Sequence, residues 1–218
     1  MDFAKATCYV ADCIRDSLCL ALTLDPSVLL DKFENKSANE LPHWVIKMIS
    51  YPPSQNDDNQ QGVGAHTDTN FLTLVLQDDI GGLQAFSQGD WVDVPAHHGS
   101  NVLVCNLGEQ AEIWSRGYFL ATPHRVLRNT SSKMNRISVP LFYNPVLSAT
   151  IEPLDESLLK GVTWDRPNTN HWRREHNTML PTVGDNTFKS LARSHPEVFQ
   201  KHHSDLTLLE DGEIIRKD

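Results

Sequence analysis

The chain has 218 residues, of which 39% are hydrophobic and 22% charged, a composition typical of a folded protein with one sizeable core. Its formal net charge of −9 argues against nucleic acid or an anionic membrane as the main partner. No apolar run is long enough for a membrane span, and no basic and apolar leader of a secretory type is present. We therefore expect neither a transmembrane helix nor secretion.

The cysteines indicate a reducing compartment. The chain contains four of them, Cys8, Cys13, Cys19 and Cys105, and they form no CxxC pair. Three lie in one predicted helix and the fourth in a predicted strand. We interpret them as reduced, mostly buried thiols and expect a cytoplasmic protein, with a zinc or disulfide role as the less favoured alternative.

Residues 1–43 are predicted to form a helical lead-in. Apolar residues recur every four positions along the first part, at Val10, Ile14, Leu18 and Leu22. This spacing predicts a helix over about residues 3–23 that packs this one face against the rest of the protein. The stretch "LDPSVLLDKF" then predicts a second short helix, with Asp25 as N-cap and Pro26 at the first helical position.

Residues 44–146 are predicted to be a series of short strands separated by polar turns. The predicted strands are "HWVIKMISY", "FLTLVLQ", "GLQAF", "WVDVP", "NVLVCNLG", "HRVL" and "RISVPLFYN". The turn "SQGD" between "GLQAF" and "WVDVP" indicates a hairpin. Many short strands with polar turns favour a sandwich or barrel.

Residues 147–218 are predicted to be irregular and helical. "DESLL" favours a helical turn, "GDNTFKSLARS" a helix with Asp185 as N-cap, and "HPEVFQKHH" a further helix. The sequence contains no repeat, low-complexity tract or clear linker, so we interpret residues 1–218 as a single domain.

The stretch "GAHTDTNFLTLVLQ" contains a candidate metal site. In a strand, residues two apart point to the same face, so His66 and Asp68 converge if the stretch is extended. His124 in "ATPHRVL" is the best candidate for a third ligand. Two imidazoles and a carboxylate are the ligands of non-haem Fe(II) oxygenases, although zinc accepts the same set. An HxD pair on its own also occurs by chance.

The stretch "RISVPLFYN" contains a candidate anion site. Arg136 and Ser138 are two residues apart and share a strand face, while Ile137, Val139 and Leu141 are predicted to pack into the core on the other face. A buried arginine needs an anionic partner, and a guanidinium beside a hydroxyl suits a carboxylate. Such a pair near a metal fits a ligand with two carboxylates, one of them next to a keto group.

These motifs, in this order, resemble the isopenicillin N synthase-like family of 2-oxoglutarate/Fe(II)-dependent dioxygenases. The matching stretches run from "ISYPP" through "GAHTDTNFLTLVLQDDIGGLQAF" and "ATPHRV" to "NRISVPLFYNP", within residues 44–146. The resemblance implies a mainly β fold, with a distorted double-stranded β-helix (jelly-roll) core over residues 44–146 and flanking α-helices. It also implies an N-terminal subdomain before the first helix, which we expect this chain to lack.

The resemblance also implies roles for individual residues. His66, Asp68 and His124 match the iron ligands, and Arg136 and Ser138 match the pair that binds the 2-oxoglutarate carboxylate. Tyr51 in "SYPP" matches a tyrosine that helps to hold this co-substrate. Ile49 stands where plant members often have asparagine, and Glu109 stands where "NIGD" usually has aspartate, with an expected structural role.

The leading hypothesis is a non-haem Fe(II)/2-oxoglutarate-dependent oxygenase that uses O₂ to oxidise a small organic molecule, in secondary metabolism. The first alternative is an oxidase of the same family that does not use 2-oxoglutarate, in which Arg136 and Ser138 would bind the substrate's own carboxylate. The second is a truncated and catalytically inactive binding protein. Without a front subdomain, we also expect self-association through an uncovered sheet edge.

Overall fold

The computed structural model describes residues 2–34, 38–53, 61–97, 102–130, 133–159, 179–210 and 212–217. Its helices are α1 (Asp2–Ala21), α2 (Ser27–Phe33), α3 (Glu109–Trp114), α4 (Val183–Ser194) and α5 (Pro196–His202), with a 3₁₀ turn at Glu156–Leu159. Its strands are β1 (Trp44–Ile46), β2 (Ile49–Tyr51), β3 (Val63–His66), β4 (Leu72–Gln77), β5 (Leu83–Ser87), β6 (Asp90–Asp93), β7 (Val104–Leu107), β8 (His124–Val126), β9 (Arg136–Tyr143), β10 (Leu206–Leu208) and β11 (Ile214–Arg216). No helix in these ranges is long and apolar enough to cross a membrane.

Two antiparallel sheets carry the predicted strands. One is five-stranded, in the order β1-β9-β4-β7, with β2 also pairing with β9. The other is four-stranded, in the order β3-β8-β5-β6. The mainly β prediction is confirmed, and so is the hairpin of β5 and β6. Its turn places Gln88 and Gly89 at positive φ, as a two-residue hairpin loop requires.

The first helix is confirmed, but the centre of its buried face lies one residue beyond the predicted one. The buried positions of α1 are Thr7, Ala11, Arg15 and Cys19. Of the predicted face, Val10 is 38% exposed, but Ile14 and Leu18 are partly buried and pack against the core, and Leu22, just beyond the helix end, is 2% exposed. The apolar pattern is misleading here because the buried face contains an arginine.

Arg15 can be buried because its charge is fully engaged. Its guanidinium lies 2.7 Å from Asp12 Oδ1 and 2.8 Å from Asp16 Oδ1, and its Cζ is 5.1 Å from the centroid of the Phe33 ring. The hydroxyl group of Tyr143, at the end of β9, donates a hydrogen bond to Asp12. Burial, together with this contact to Asp12, raises the pKa of Tyr143 well above its usual value. A polar network therefore fastens α1 to β9.

An aromatic cluster forms the centre of the core. Phe33 of α2 stacks on Tyr143 of β9 at 5.1 Å between ring centroids, and meets Phe71 edge-on at the same distance. Trp114 of α3 lies 5.6 Å from Phe71. All four rings are at most 1% exposed. Residues from two helices and from one end of the five-stranded sheet thus share a single core.

Both predicted helix caps differ in position from the structure. Asp25 Oδ1 accepts a hydrogen bond from the Ser27 amide at 2.9 Å, but α2 begins at Ser27 and its N-cap is Pro26, one residue after the predicted cap. For α4, the N-cap is Thr182, whose hydroxyl accepts from the amide of Asp185 at 3.1 Å. Asp185, the predicted N-cap, is therefore the third residue of the helix.

The faces of β9 also differ from the prediction. Arg136 and Ser138 are 1% and 4% exposed, but Ile137 is 39% exposed and Val139 only partly buried. Only Leu141 of the predicted apolar face is fully buried. The two polar residues are thus on the more buried side, and the prediction that Ile137 and Val139 pack into the core is wrong.

The cysteine prediction is partly wrong as well. All four are free thiols, but only Cys19 is buried, while Cys8 is partly buried and Cys13 and Cys105 are exposed.

The rotated face of α1 can be tested with neighbouring substitutions. Ala11→Asp places an unpaired carboxylate at a fully buried position, so we expect it to lower the free energy of unfolding by about 3 kcal/mol or more. Val10→Asp, one residue earlier on the exposed side, should change it by less than about 0.5 kcal/mol. Urea unfolding followed by circular dichroism measures both. A larger effect at Val10 than at Ala11 would show that the helix faces the core as the apolar spacing suggested.

Candidate metal centre

The three predicted metal ligands come together at one end of the four-stranded sheet. His66 is the last residue of β3 and His124 the first of β8, and the two are paired in register. Their ring centroids are 4.3 Å apart. Asp68 lies two residues beyond the end of β3, so it reaches the site from the following loop and not from the strand itself.

The three side chains are close enough to share one ion. Nε2 of His66 lies 3.7 Å from Oδ1 of Asp68, and Nε2 of His124 lies 3.8 Å from Oδ2. One candidate ligand atom from each residue falls within 4.8 Å of the other two. Asp68 is 7% exposed, and both histidines are partly buried. Burial of an acid between two imidazoles suits a cation.

In each histidine, one ring nitrogen contacts a backbone carbonyl and the other faces the candidate metal site. Nδ1 of His66 lies 2.8 Å from the carbonyl oxygen of Gly64, and Nδ1 of His124 lies 2.9 Å from that of Thr122. A carbonyl only accepts, so each Nδ1 carries the proton in the neutral ring. Each Nε2 then keeps its lone pair towards the other two side chains, as in a metal-binding histidine oriented by its second nitrogen.

Two residues that the sequence did not single out hold the carboxylate. Thr73 Oγ1 donates to Asp68 Oδ2 at 2.6 Å, and Asn106 Nδ2 donates to the same oxygen at 2.8 Å. Thr73 in β4 and Asn106 in β7 are direct partners in the other sheet. The signal for them lies in strand pairing, because partners in register present their side chains on the same face.

The loop after β3 is fastened to the start of α3. Thr67 donates to Glu109 Oε1 at 2.5 Å, and the Glu109 amide donates to the Asp68 carbonyl at 2.8 Å. A Cβ on Gly108 would lie 2.1 Å from the backbone oxygen of Asn70, so only glycine permits this close approach. Glu109 therefore has the structural contacts expected of it.

Arg136 lies in a buried position with one side of its guanidinium unused. Its Nε donates to the Gly81 carbonyl at 2.5 Å and its Nη2 to Gln77 Oε1 at 3.3 Å. Its Nη1 is buried without a hydrogen-bond partner among the described residues. A buried unpaired donor on a cation is costly, so this side of Arg136 is suited to an anionic ligand.

Ser138 and Tyr51 lie beside this arginine. Tyr51 of β2 is the register partner of Arg136, and the Arg136 Cζ lies 4.9 Å from the centroid of the tyrosine ring. Ile49, one pleat along β2, is paired with Ser138, which is 4% exposed. The three residues predicted to bind a carboxylate are thus neighbours on two paired strands.

Gly81 has a conformation that explains its place in "IGGLQ". Its φ of +83° lies in the left-handed region, where residues with a Cβ are strained. Its carbonyl is the acceptor for Arg136 Nε.

A separate cavity of about 890 Å³ borders Gly81, Arg125 and Asn129, but neither the His-Asp-His cluster nor Arg136 lines it.

The chain matches a known family over its strand-rich part. The model of the 2OG-Fe(II) oxygenase superfamily matches residues 40–145. 1-Aminocyclopropane-1-carboxylate oxidase 3 of Arabidopsis thaliana is 38% identical over 153 residues, which cover 70% of this chain and 46% of that protein. Feruloyl CoA ortho-hydroxylase 1 of Arabidopsis thaliana is 44% identical over 118 residues, 53% of this chain and 32% of that protein.

Solved structures of similar proteins also match this chain. A complex of JOX2 with 2OG, Fe and JA matches with a TM-score of 0.63 and 26% identity, over 71% of this chain and 44% of that one. A complex of Arabidopsis thaliana DAO1, a dioxygenase for auxin oxidation, with 2-oxoglutarate matches with a TM-score of 0.55 and 29% identity, over 71% and 55% of the two chains. These likenesses confirm the double-stranded β-helix prediction.

The match is partial in length, because the chain spans about half of the curated oxidases it resembles. Within the matched part, the family identification rests on sequence and fold together. The predicted cofactors Fe(II), 2-oxoglutarate and O₂ are those of the family, and Fe and 2-oxoglutarate are named in a complex of a structural relative. Through residues 40–145, this chain belongs to the 2OG-Fe(II) oxygenase superfamily.

Proposed function

We propose that the protein is an Fe(II)/2-oxoglutarate-dependent oxygenase that oxidises a small organic molecule. The observation that carries this proposal is the convergence of His66, Asp68 and His124, whose candidate ligand atoms lie within 4.8 Å of one another. Two imidazoles and a carboxylate suit Fe(II) and leave room for further ligands. When bound there, Fe(II) would supply the redox chemistry that activates O₂.

The 2-oxoglutarate site is proposed on β2 and β9. Arg136 has a buried Nη1 in need of an acceptor, and a carboxylate would supply one. Ser138 shares its strand face and can donate a second hydrogen bond, while the Tyr51 ring covers the guanidinium. Gly81 and Gln77 hold the other nitrogens of the fork, so the arginine is oriented before the co-substrate arrives.

The proposal also includes the size of the substrate, the metabolic role, the domain organisation and the cellular location. The relatives named above act on small molecules, which supports a substrate of that size and a place in secondary metabolism. We propose that residues 1–218 act as one domain in the cytoplasm, in keeping with the free thiols.

A second candidate function is an oxidase whose own substrate carries the carboxylate bound by Arg136. It is favoured by the relatives named 1-aminocyclopropane-1-carboxylate oxidase, whose name specifies oxidation of a small carboxylate. In that case the Arg136 and Ser138 pair would bind the substrate directly. The two candidates differ in one product, because only the first consumes 2-oxoglutarate.

We also propose that the chain self-associates through the β1 and β2 edge. Within the described part of the chain, both strands pair with β9 only. Trp44 and Met48 at this edge are 44% and 83% exposed, and Ile137 of β9, which pairs with Ser50 of β2, is 39% exposed. An open edge bordered by apolar side chains favours pairing with another copy.

Removal of the acidic ligand tests the metal site. Asp68→Ala should lower Fe(II) affinity by more than the ~10–100-fold that the loss of an outer partner usually costs. Anaerobic titration with Fe(II) measures this, and circular dichroism should show a folded protein. Asp90→Ala, which removes an exposed carboxylate from β6, is the matched control. Equal Fe(II) binding by Asp68→Ala and wild type would place the metal elsewhere.

Substitution of Arg136 separates the two enzyme candidates. Arg136→Lys keeps the charge but loses the planar fork, and with it charge-assisted hydrogen bonds of about 1.5–3 kcal/mol each. We therefore expect the 2-oxoglutarate concentration for half-maximal succinate release to rise about 10–100-fold. Arg193→Lys, at an exposed arginine of α4, should leave it unchanged. If wild type consumes O₂ with Fe(II) but releases no succinate, the oxidase candidate is correct.

The open edge can be tested by light scattering. Wild type should contain dimers or larger species at micromolar concentration, and Trp44→Lys with Met48→Lys should shift it towards monomer, because charged edge residues oppose strand pairing. Val198→Lys, at another exposed apolar position, is the control. A monodisperse wild-type monomer would contradict the proposal.

A further inference from the structure

The two oxygens of Asp68 are in different surroundings. Oδ2 accepts hydrogen bonds from Thr73 at 2.6 Å and from Asn106 at 2.8 Å. Oδ1 accepts none from any residue in the described ranges. Each oxygen faces one histidine, since Oδ1 lies 3.7 Å from His66 Nε2 and Oδ2 lies 3.8 Å from His124 Nε2, so the two oxygens differ in their hydrogen bonds alone. Two donors fill the lone-pair directions of a carboxylate oxygen, so Oδ2 has little capacity left for a cation.

The Thr73 hydroxyl is itself fixed in direction. Asn70 Nδ2 donates to Thr73 Oγ1 at 2.9 Å and to the Leu72 carbonyl at 2.8 Å. A hydroxyl has one proton, so Thr73, which accepts from Asn70, directs its proton to Asp68. Thr73 is 2% exposed and Asn70 is 5% exposed. Solvent therefore does not compete for these hydrogen bonds.

We infer that Thr73 and Asn106 are positioning residues that make Asp68 a ligand through one oxygen only, Oδ1. This inference rests on the proposed function, because it concerns how the same cluster holds its metal. The two side chains come from paired positions on β4 and β7, whereas His66 and His124 come from β3 and β8. The five-stranded sheet thus sets the orientation of a ligand whose partners lie on the four-stranded sheet.

One-oxygen ligation has a functional consequence. A carboxylate that bound through both oxygens would occupy two positions on a six-coordinate ion. With Oδ2 held back, the three protein ligands occupy three positions and leave three others. Three are needed if a keto acid is to bind through two atoms and O₂ through one. Thr73 and Asn106 would therefore preserve the room that the co-substrates require.

The test uses Co(II) as the probe, since its visible absorption reports coordination number and geometry without turnover. Thr73→Val removes the hydroxyl but keeps the shape, Thr73→Ser restores a hydroxyl, and Asn106→Ala removes the second donor. Thr7→Val is the matched control, because Thr7 is also a buried threonine, with its hydroxyl bonded to backbone carbonyls of α1. Each variant is titrated calorimetrically and its absorption spectrum recorded, with circular dichroism as a check on folding.

We expect Thr73→Val and Asn106→Ala to weaken Co(II) binding about 10–100-fold and to change the spectrum. Thr73→Ser should stay within about threefold of wild type with an unchanged spectrum, and Thr7→Val should match wild type. If Thr73→Val fails to fold, Asn106→Ala gives the same answer from the other donor.

Failure of the positioning role and failure of the proposed metal site would give different results. If wild type binds Co(II) and Thr73→Val and Asn106→Ala bind it within about twofold of wild type, with the same spectrum, the positioning role is overturned while the proposed metal site stands. Equal losses in Thr73→Ser and Thr73→Val would also overturn it, since the hydroxyl would not be the cause. If wild type binds no Co(II), the proposed function itself fails.

Discussion

The carboxylate of Asp68 is the point at which the two sheets of this protein are joined chemically. It accepts from Thr73 and Asn106 of the five-stranded sheet and faces His66 and His124 of the four-stranded sheet. The acid is 7% exposed, and a buried charge of this kind is stable only when its partners are complete. A metal on the histidine side would complete them, so the geometry of the centre depends on how the two sheets are placed against each other.

Strand β9 connects the proposed co-substrate site to the aromatic core and the first helix. At its start, Arg136 is bonded to Gly81 and Gln77. At its end, Tyr143 stacks on Phe33 and bonds to Asp12 of the first helix. One strand of eight residues therefore runs from the proposed co-substrate site to the aromatic core and the helical face. The strand is held on both sides, because Ser138–Tyr143 pair with β4 and Arg136–Ser138 pair with β2.

Much of this arrangement could be predicted from the sequence where a motif has a fixed order and local spacing. The strands of residues 44–146 follow alternating apolar patterns, and the HxD pair, the later His124 and the Arg136 and Ser138 pair follow one another as the family requires. The face of α1 could not be predicted in the same way. Its buried side includes Arg15, whose charge is satisfied by neighbours on its own helix and by Tyr143, 128 positions away.

The exposure of Ile137 and the contacts of Asp68 were missed for a common reason. Residue type suggests burial for isoleucine and gives no reason to pair Thr73 with Asn106. Both outcomes depend on which strands and helices lie next to one another, and that is a non-local property. Thr73 and Asn106 meet because β4 and β7 pair in a register that brings together two residues 33 positions apart in the chain. Ligands can thus be recognised from a short motif, whereas the residues that orient those ligands are recognisable only once strand order and register are known.

Because the side chains of the metal centre are held by strand pairs in both sheets, the metal centre and the fold should gain or lose stability together. The hydrogen bonds from Thr73 and Asn106 hold Asp68 in place only while β4 and β7 remain paired, and the histidine pair holds only while β3 and β8 remain paired. A bound cation would be ligated from both sheets at once, so it would stabilise their association in proportion to its affinity for the folded state. The buried carboxylate, which costs free energy when its partners are incomplete, would then become a contact that holds the two sheets together.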